Sequence, residues 1–556
     1  MQSQNSIHKE IQIPSYKNTW WYKMRIGLLC FLAGALILLV FAEAKADEIP
    51  LTGQQKADLE KADTLNKQVD NLSSQGKYAE ATPLMIETLK IYRKILGDKH
   101  PDTAENINDL AELYMVQAQY AKAEPLYLEA LKIRREVLGN KHRDTAESIS
   151  NLAELYKVQA QYAKAEELYL EALKIYREVS GNKHPDTANS MQNLASLYFN
   201  QGLYAKAEPL CLEALKICRE VLGNKHPDTA NSIDSLAQLY YKQSLYAKME
   251  PLSLEALKIF RETLGDKHPD TANSINNLAL LYKNQGQYAK AEPLFVEALK
   301  IYREVSGNMH PNTATSINNL AMFYSDQAQD AKAEPLLLEA LKINREVLGN
   351  KHPDTAQSIN NLGLLYDKQA QYAKAEPLYL EALKIKREVQ GDKHPDTAQS
   401  INNLAILYNA QAQYAKAEPL LIEAIKINRE ALGDKHPDTA MSINNLAGLY
   451  SDQAQYAKAE PLYLEAIKIN REALGNKHPD TALTINNLAN LYSNQVQYAK
   501  AEPLYLEALK ILTANLQAIS IIQSENAQIL MTNKDKFFLD SFLTNALANH
   551  TPRWWL

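Results

Sequence analysis

Apolar residues along this chain return at steps of three and four, and the whole pattern resets every 42 residues. In the stretch from Pro269 to His310, Ile275, Leu278, Ala279 and Tyr282 share one face of a predicted helix, which must be core. On the opposite face lie Asn273, Asn277, Leu280 and Asn284, so the same helix has a dry side and a mostly polar one. After a turn at Gln285-Gly286, a second run carries Tyr288, Ala291, Phe295, Ala298 and Tyr302 at helical spacing. Ala291 and Ala298 leave room there for a neighbouring helix to approach.

The punctuation agrees with a helix pair. Pro293 falls near the start of the second helix, where it removes at most one backbone bond. Gly307 suits a left-handed cap after that helix, and Pro311 is shaped to start the next one. Asp270 and Asp228 place negative charge at the positive ends of their helices. Glu297, Lys300 and Glu304 are spaced to form solvated pairs along the outer helix.

The step of 42 residues links His100, His142, His184, His226, His268, His310, His352, His394, His436 and His478 without an insertion. A period in this range predicts a solenoid, since each unit is too small to bury its own apolar face. The motif N-L-A-x-L-Y, followed by Q-x-Q-Y-A-K-A-E-P-L and E-A-L-K-I, resembles the tetratricopeptide repeat. With the trailing L-G-x-K-H-P-D-T-A it is similar to the longer repeat of the kinesin light chain family, from about Ala57 to Leu512. The tetratricopeptide period is usually roughly 34 residues, and the excess sits in the second helix and the loop after it. The resemblance implies an all-α fold, a right-handed α-solenoid of stacked antiparallel helix pairs.

Residues 56–100 read as a degenerate capping repeat in which Asp70 occupies the place of Ala279, and ten regular units follow over 101–512. Arg143 replaces one helix-starting proline and Glu167 replaces the proline of another second helix, neither of which should break the stack. Asp330 stands where other units have tyrosine, which predicts a weaker joint. The tail, 513–556, loses the period and suggests capping helices; it resembles the segment joining repeats to the peptidase in exported CHAT (caspase-like) proteins.

At the other end, a polar stretch with Lys9, Lys17, Lys23 and Arg25 leads into an apolar run at 26–42, then into overlapping small-x-small sites at Ala42 to Ala46. Residues 1–46 therefore read as a cleaved signal or a retained membrane anchor, with 47–55 as a linker. Either one exports the repeats beyond the cytoplasmic membrane, to a periplasmic or extracellular address. The net charge of -6 with interspersed lysines argues against a nucleic-acid partner. Cys211 and Cys218 lie two helical turns apart, about 10 Å, too far to bridge.

Candidate chemistry is sparse. The periodic histidines are spread over successive units and cannot converge on a metal, so a cap role beside the proline is expected and no cofactor is. Asn151, Asn193, Asn277, Asn319, Asn361, Asn403, Asn445 and Asn487 recur on the non-core face, in a row broken by Asp109 and Ser235. An amide offers a donor and an acceptor, so such a row could bond the backbone of an extended peptide. The resemblance implies the same, because the asparagine before the L-A pair grips peptide in tetratricopeptide proteins. Three residues on, the series runs from Glu112 and Glu154 through Ser196 and Gln238 to the apolar Leu280, Met322, Leu364 and Ile406. Those four are expected to select the ligand. Charges nearby are mixed, with Lys157, Lys242, Lys283 and Lys368 against Asp326, Asp367 and Asp452. These features predict a non-enzymatic exported scaffold binding a protein or peptide, with the recognition arm of a split CHAT protease as the alternative.

Overall fold

The computed structural model describes residues 51–517, which form helices joined by short turns, with no strand among the described residues. Ten regular units begin at Pro101, Arg143, Pro185, Pro227, Pro269, Pro311, Pro353, Pro395, Pro437 and Pro479, and are numbered here from 1 to 10. In unit 5 the first helix is Pro269–Asn284 and the second is Tyr288–Val305. The chain is an all-α solenoid in which consecutive helices pack together.

Each first helix starts on the histidine of the His-Pro pair. The ring Nδ1 of His268 accepts the Asp270 backbone N–H at 3.1 Å, and the same bond recurs in the other units. Imidazole thus fills the N-cap role usually held by a small polar side chain. Arg143 keeps this geometry, and its guanidinium reaches Asp186 of the next unit at 2.6 Å. The glycine after the second helix departs from expectation. Gly391 and Gly433 have φ near +93° but ψ 166°, the extended positive-φ region open to glycine, not the left-handed helical one. The left-handed helical residue lies inside the hairpin turn, where Ala118, Ala160 and Ala370 each have φ 55°.

Units are bolted together by a repeated set of bonds. Thr313 Oγ1 donates to the Gly307 carbonyl at 2.7 Å, and Tyr366 donates to Glu334 of the preceding unit at 2.7 Å beneath the ammonium of Lys374. The outer charges also pair between units: Glu297 takes Arg261 at 2.7 Å and Glu304 takes Lys267 at 2.9 Å. These shorter pairs between units add to the expected ones along the helix, which are longer, as in Lys258–Glu262 at 3.9 Å. Near the end of the second helix, Asn344 and Asn428 each donate to a serine on the next first helix at 3.0 Å. Cys218 holds the same register and accepts from Ser232 at 3.3 Å, while Cys211 is buried core.

The opening repeat needs two corrections. Its first helix runs Gly53–Ser74 from a Thr52 capping box, so helix begins inside the stretch read as linker. Its turn at Gly76 lies five 42-residue steps before Gly286, which aligns Val69, not Asp70, with Ala279; Val69 is buried and Asp70 half-buried. At the other end the last helix extends to Gln517, and the expected further capping helices lie outside the described residues. So do the signal or anchor at 1–46 and its apolar run. Among the described residues no helix is long and apolar enough to cross a membrane. Asp330 begins an unbroken second helix despite replacing tyrosine.

The curvature closes the solenoid on itself. His352 of unit 7 lies 3.1 Å from the carbonyl of Val116, which ends the first helix of unit 1, and His394 of unit 8 lies 3.0 Å from that of Val158 in unit 2. His478 of unit 10 reaches the Lys242 carbonyl of unit 4 at 3.2 Å and Ser244 at 3.0 Å. One superhelical turn therefore takes about six units, and the second turn sits directly on the first.

Candidate functional site

The first helices form the inner wall. The stripe Asn273, Asn277, Leu280, Asn284 is half-exposed at its two ends and closed in the middle, because neighbouring first helices approach most closely there. Asn319 Nδ2 donates to Asn276 of the preceding unit at 3.1 Å, and Asn403, Asn445 and Asn487 make the equivalent bonds to Asn360, Asn402 and Asn444. Asn361 accepts from Gln357 at 2.9 Å. These amides form a ladder between units, with Asn319 only 1% exposed. The expected open row of asparagines is corrected for Asn277, Asn319, Asn361, Asn403, Asn445 and Asn487, all of them buried, with Asn319, Asn403, Asn445 and Asn487 donating to the neighbouring first helix.

The expected selectivity residues are likewise corrected. Leu280, Met322, Leu364 and Ile406 are buried, the first two completely. Their register faces the second helix of their own unit: at equivalent places Tyr169 donates to Glu154 at 2.7 Å and Tyr505 to Asn490 at 2.6 Å. Sequence spacing set these residues opposite the apolar face, but it did not show that a hairpin partner covers part of that opposite face.

The wall stays accessible in the first turn. Asp109, Glu112, Asn151, Glu154, Asn193 and Ser196 are all half-buried. Asn151 also donates to Asn108 at 3.2 Å, so a ligand would share its carbonyl. Lys157 bridges Glu154 at 2.6 Å and Ser196 at 3.2 Å, fixing the carboxylate at the rim.

Two charged features went unread in the sequence. Asp326 of unit 6 sits between Lys283 of unit 5 at 2.9 Å and Lys368 of unit 7 at 2.7 Å, joining three units. Burial alone would raise its pKa, yet the two ammonium groups outweigh it and hold the carboxyl below the usual carboxylate value. Positions 42 or 43 residues apart with opposite charge were the available signal. Asp234 has no such help. Buried where most units carry asparagine, and facing Asp270, it is pushed up to about 8 although Ser274 bonds it. Its Oδ1 and the Nδ2 of Asn277, the rung that would join them, both lack a partner.

Nothing in this wall offers an activated nucleophile. Burial pushes the Cys211 thiol up to about 12 and raises Cys218. The histidines are caps, with His310, His436 and His478 held below the ordinary imidazole value chiefly by burial.

The tetratricopeptide repeat model matches in nine segments between residues 60 and 514, leaving only 305–311 uncovered. The chain belongs to the tetratricopeptide repeat family. Among solved structures, this tetratricopeptide chain is similar to BtubC (BKLC) from P. vanneervenii, at 28% identity over 42% of this chain and 92% of that one, TM-score 0.34. It is similar to the nearly identical TPR-like repeats ascribed to a kinesin light chain of Podosopora anserina, at 27% identity over 37% of this chain and 97% of that one, TM-score 0.32. A Rap protein complexed with competence and sporulation factor aligns at 15% identity over 68% of this chain and 100% of that one, TM-score 0.44. A comparison with curated proteins found no match.

Proposed function

We propose that this chain is an exported, non-enzymatic scaffold that holds an extended protein segment against the inner wall of its first superhelical turn, at units 1 to 3. The observation that supports this reading is the change in exposure along one stripe. Asn151 and Asn193 remain half-buried, whereas the asparagines from Asn277 onward are sealed between units. The accessible amides can bond a peptide backbone whatever its side chains. Glu154 beside them is already paired with Lys157 and bonded by Tyr169, so this wall offers hydrogen bonds and not a free charge. Export rests on the apolar run 26–42 and the small-x-small sites after it. Attachment to a membrane would follow if that run is retained.

The test is capture of a peptide set by the purified full chain. An extended peptide should be retained, and the double substitution Asn151→Ala with Asn193→Ala should weaken capture at least tenfold. Equal capture by wild type and double variant would overturn the reading. Sequencing the N-terminus of the protein recovered outside the cytoplasm checks export, and recovery from the cytoplasm alone would refute it.

A further inference from the structure

The contact between the two superhelical turns has a direction. From above, each second-turn unit sets the N-terminus of its first helix, marked by His-Pro, on the C-terminal carbonyls of a first helix six units earlier. The positive end of one helix dipole thus meets the negative end of another. The fit is close: a Cβ on Gly202 would come within 2.9 Å of His436 and 3.1 Å of Pro437, and one on Gly76 within 2.6 Å of Pro311.

Both halves of this contact recur at the ends of the solenoid with nothing from the described residues against them. On the lower edge the His-Pro corners of units 1, 3 and 4 and the His142-Arg143 corner of unit 2 are open: the His184 side chain is 46% exposed, against 7% for His436 in the contact. On the upper edge the turn residues Ala328, Ala370, Ala412 and Ala454 are exposed, whereas Ala118 and Ala160, which lie under the second turn, are not. The two halves of the internal joint are therefore each present once more, the donor half on the lower edge, with Arg143 in place of one proline, and the acceptor half on the upper edge.

We propose that the occupant of these edges is a second copy of this chain, stacked coaxially so that its first turn sits on the second turn of the copy below. With the 236-residue offset of the internal joint carried across the boundary, His184 of the upper copy falls on the Ala410 carbonyl of the lower one, and His226 on that of Asp452. The interface is heterologous, so each copy leaves one edge of each kind and the assembly grows as an open column. Continuity with a joint already built inside the chain is what singles out a second copy.

Sedimentation velocity of the full chain over a concentration series tests this with two variants. His184→Asp keeps an N-cap acceptor but sets a carboxylate against a carbonyl, and Ala412→Glu places a charge on the opposite edge. Wild type should sediment faster as concentration rises, each variant should stay at the monomer value with unchanged circular dichroism, and an equal mixture should form dimers and stop. Wild type that stays monomeric throughout would overturn the proposal. Association that survives in both variants, or a mixture that stays monomeric, would overturn it too.

Discussion

His352 donates from Nε2 to the carbonyl of Val116 while its Nδ1 accepts the N–H of Asp354, so one neutral ring caps a helix and closes a superhelical turn. The Asp354 carboxylate lies 3.7 Å from the same Nδ1. The charged and phenolic groups around the joints include Asp354, Asp396, Asp438 and Asp480 from above and Tyr120, Tyr162 and Tyr204 from below, with Lys242 beside His436 and His478.

Acid should therefore loosen the stacked turns. His310 is held at about 4 by burial, well below the free imidazole, and His436 and His478 are shifted the same way. A lowered pKa in the fold means stability that is complete above about pH 6.5 and is lost as pH falls toward the folded value. Small-angle scattering should show the radius of gyration rising between about pH 6 and 4, with helical circular dichroism retained longer than compactness. A constant radius with helicity lost in one step would refute this order of events.

Asp234→Asn should stabilise the protein, and more so in alkali. The folded carboxyl titrates near 8 and the unfolded one near 3.9, so its cost appears as pH rises between those values. Asparagine carries no charge and keeps an Oδ1 acceptor opposite Asn277 Nδ2, as at the equivalent rungs. The gain should be about 2 to 4 kcal/mol at pH 8 and near zero at pH 4, read by urea denaturation at both values. A gain that is the same at both would show that charge is not the cause.

Asp326→Ala should act in the opposite sense. Removing the carboxylate leaves Lys283, 5% exposed, and Lys368 facing one another without compensation. Such a loss costs about 3 to 5 kcal/mol, and replacing all three residues by apolar side chains should recover most of it. Thermal melts of the single and triple variants decide this, and equal destabilisation of both would remove the triad as the reason.

How much of this was legible in the sequence follows from the range of each interaction. The hairpins, their His-Pro starts and the stack depend on contacts within a unit or between adjacent ones, and the 42-residue period states those directly. Which unit meets which after a full turn depends on a small rotation per repeat, summed over six units, and no single residue encodes it. Asn319 shows the same boundary within the site. Its placement opposite the core face follows from helical spacing, but its 1% exposure follows from how closely the next helix approaches.

Leu364→Asp separates a groove residue from a structural one. Leu364 is 2% exposed, in a register that faces the second helix of its own unit, so the carboxylate would enter apolar surroundings without a partner. The lost packing and the burial of charge together should cost on the order of 4 kcal/mol or more. The expected result is a broadened or lowered melting transition together with reduced helical signal around unit 7, and hydrogen exchange should localise the damage to 353–390. Asn193→Ala, by contrast, removes a half-buried amide at the first-turn wall and should leave the melt unchanged within about 0.5 kcal/mol while lowering peptide capture. If Leu364→Asp instead melts like wild type and loses capture, that side chain reaches the groove after all, and the inner wall must open further in solution than the stacked turns allow.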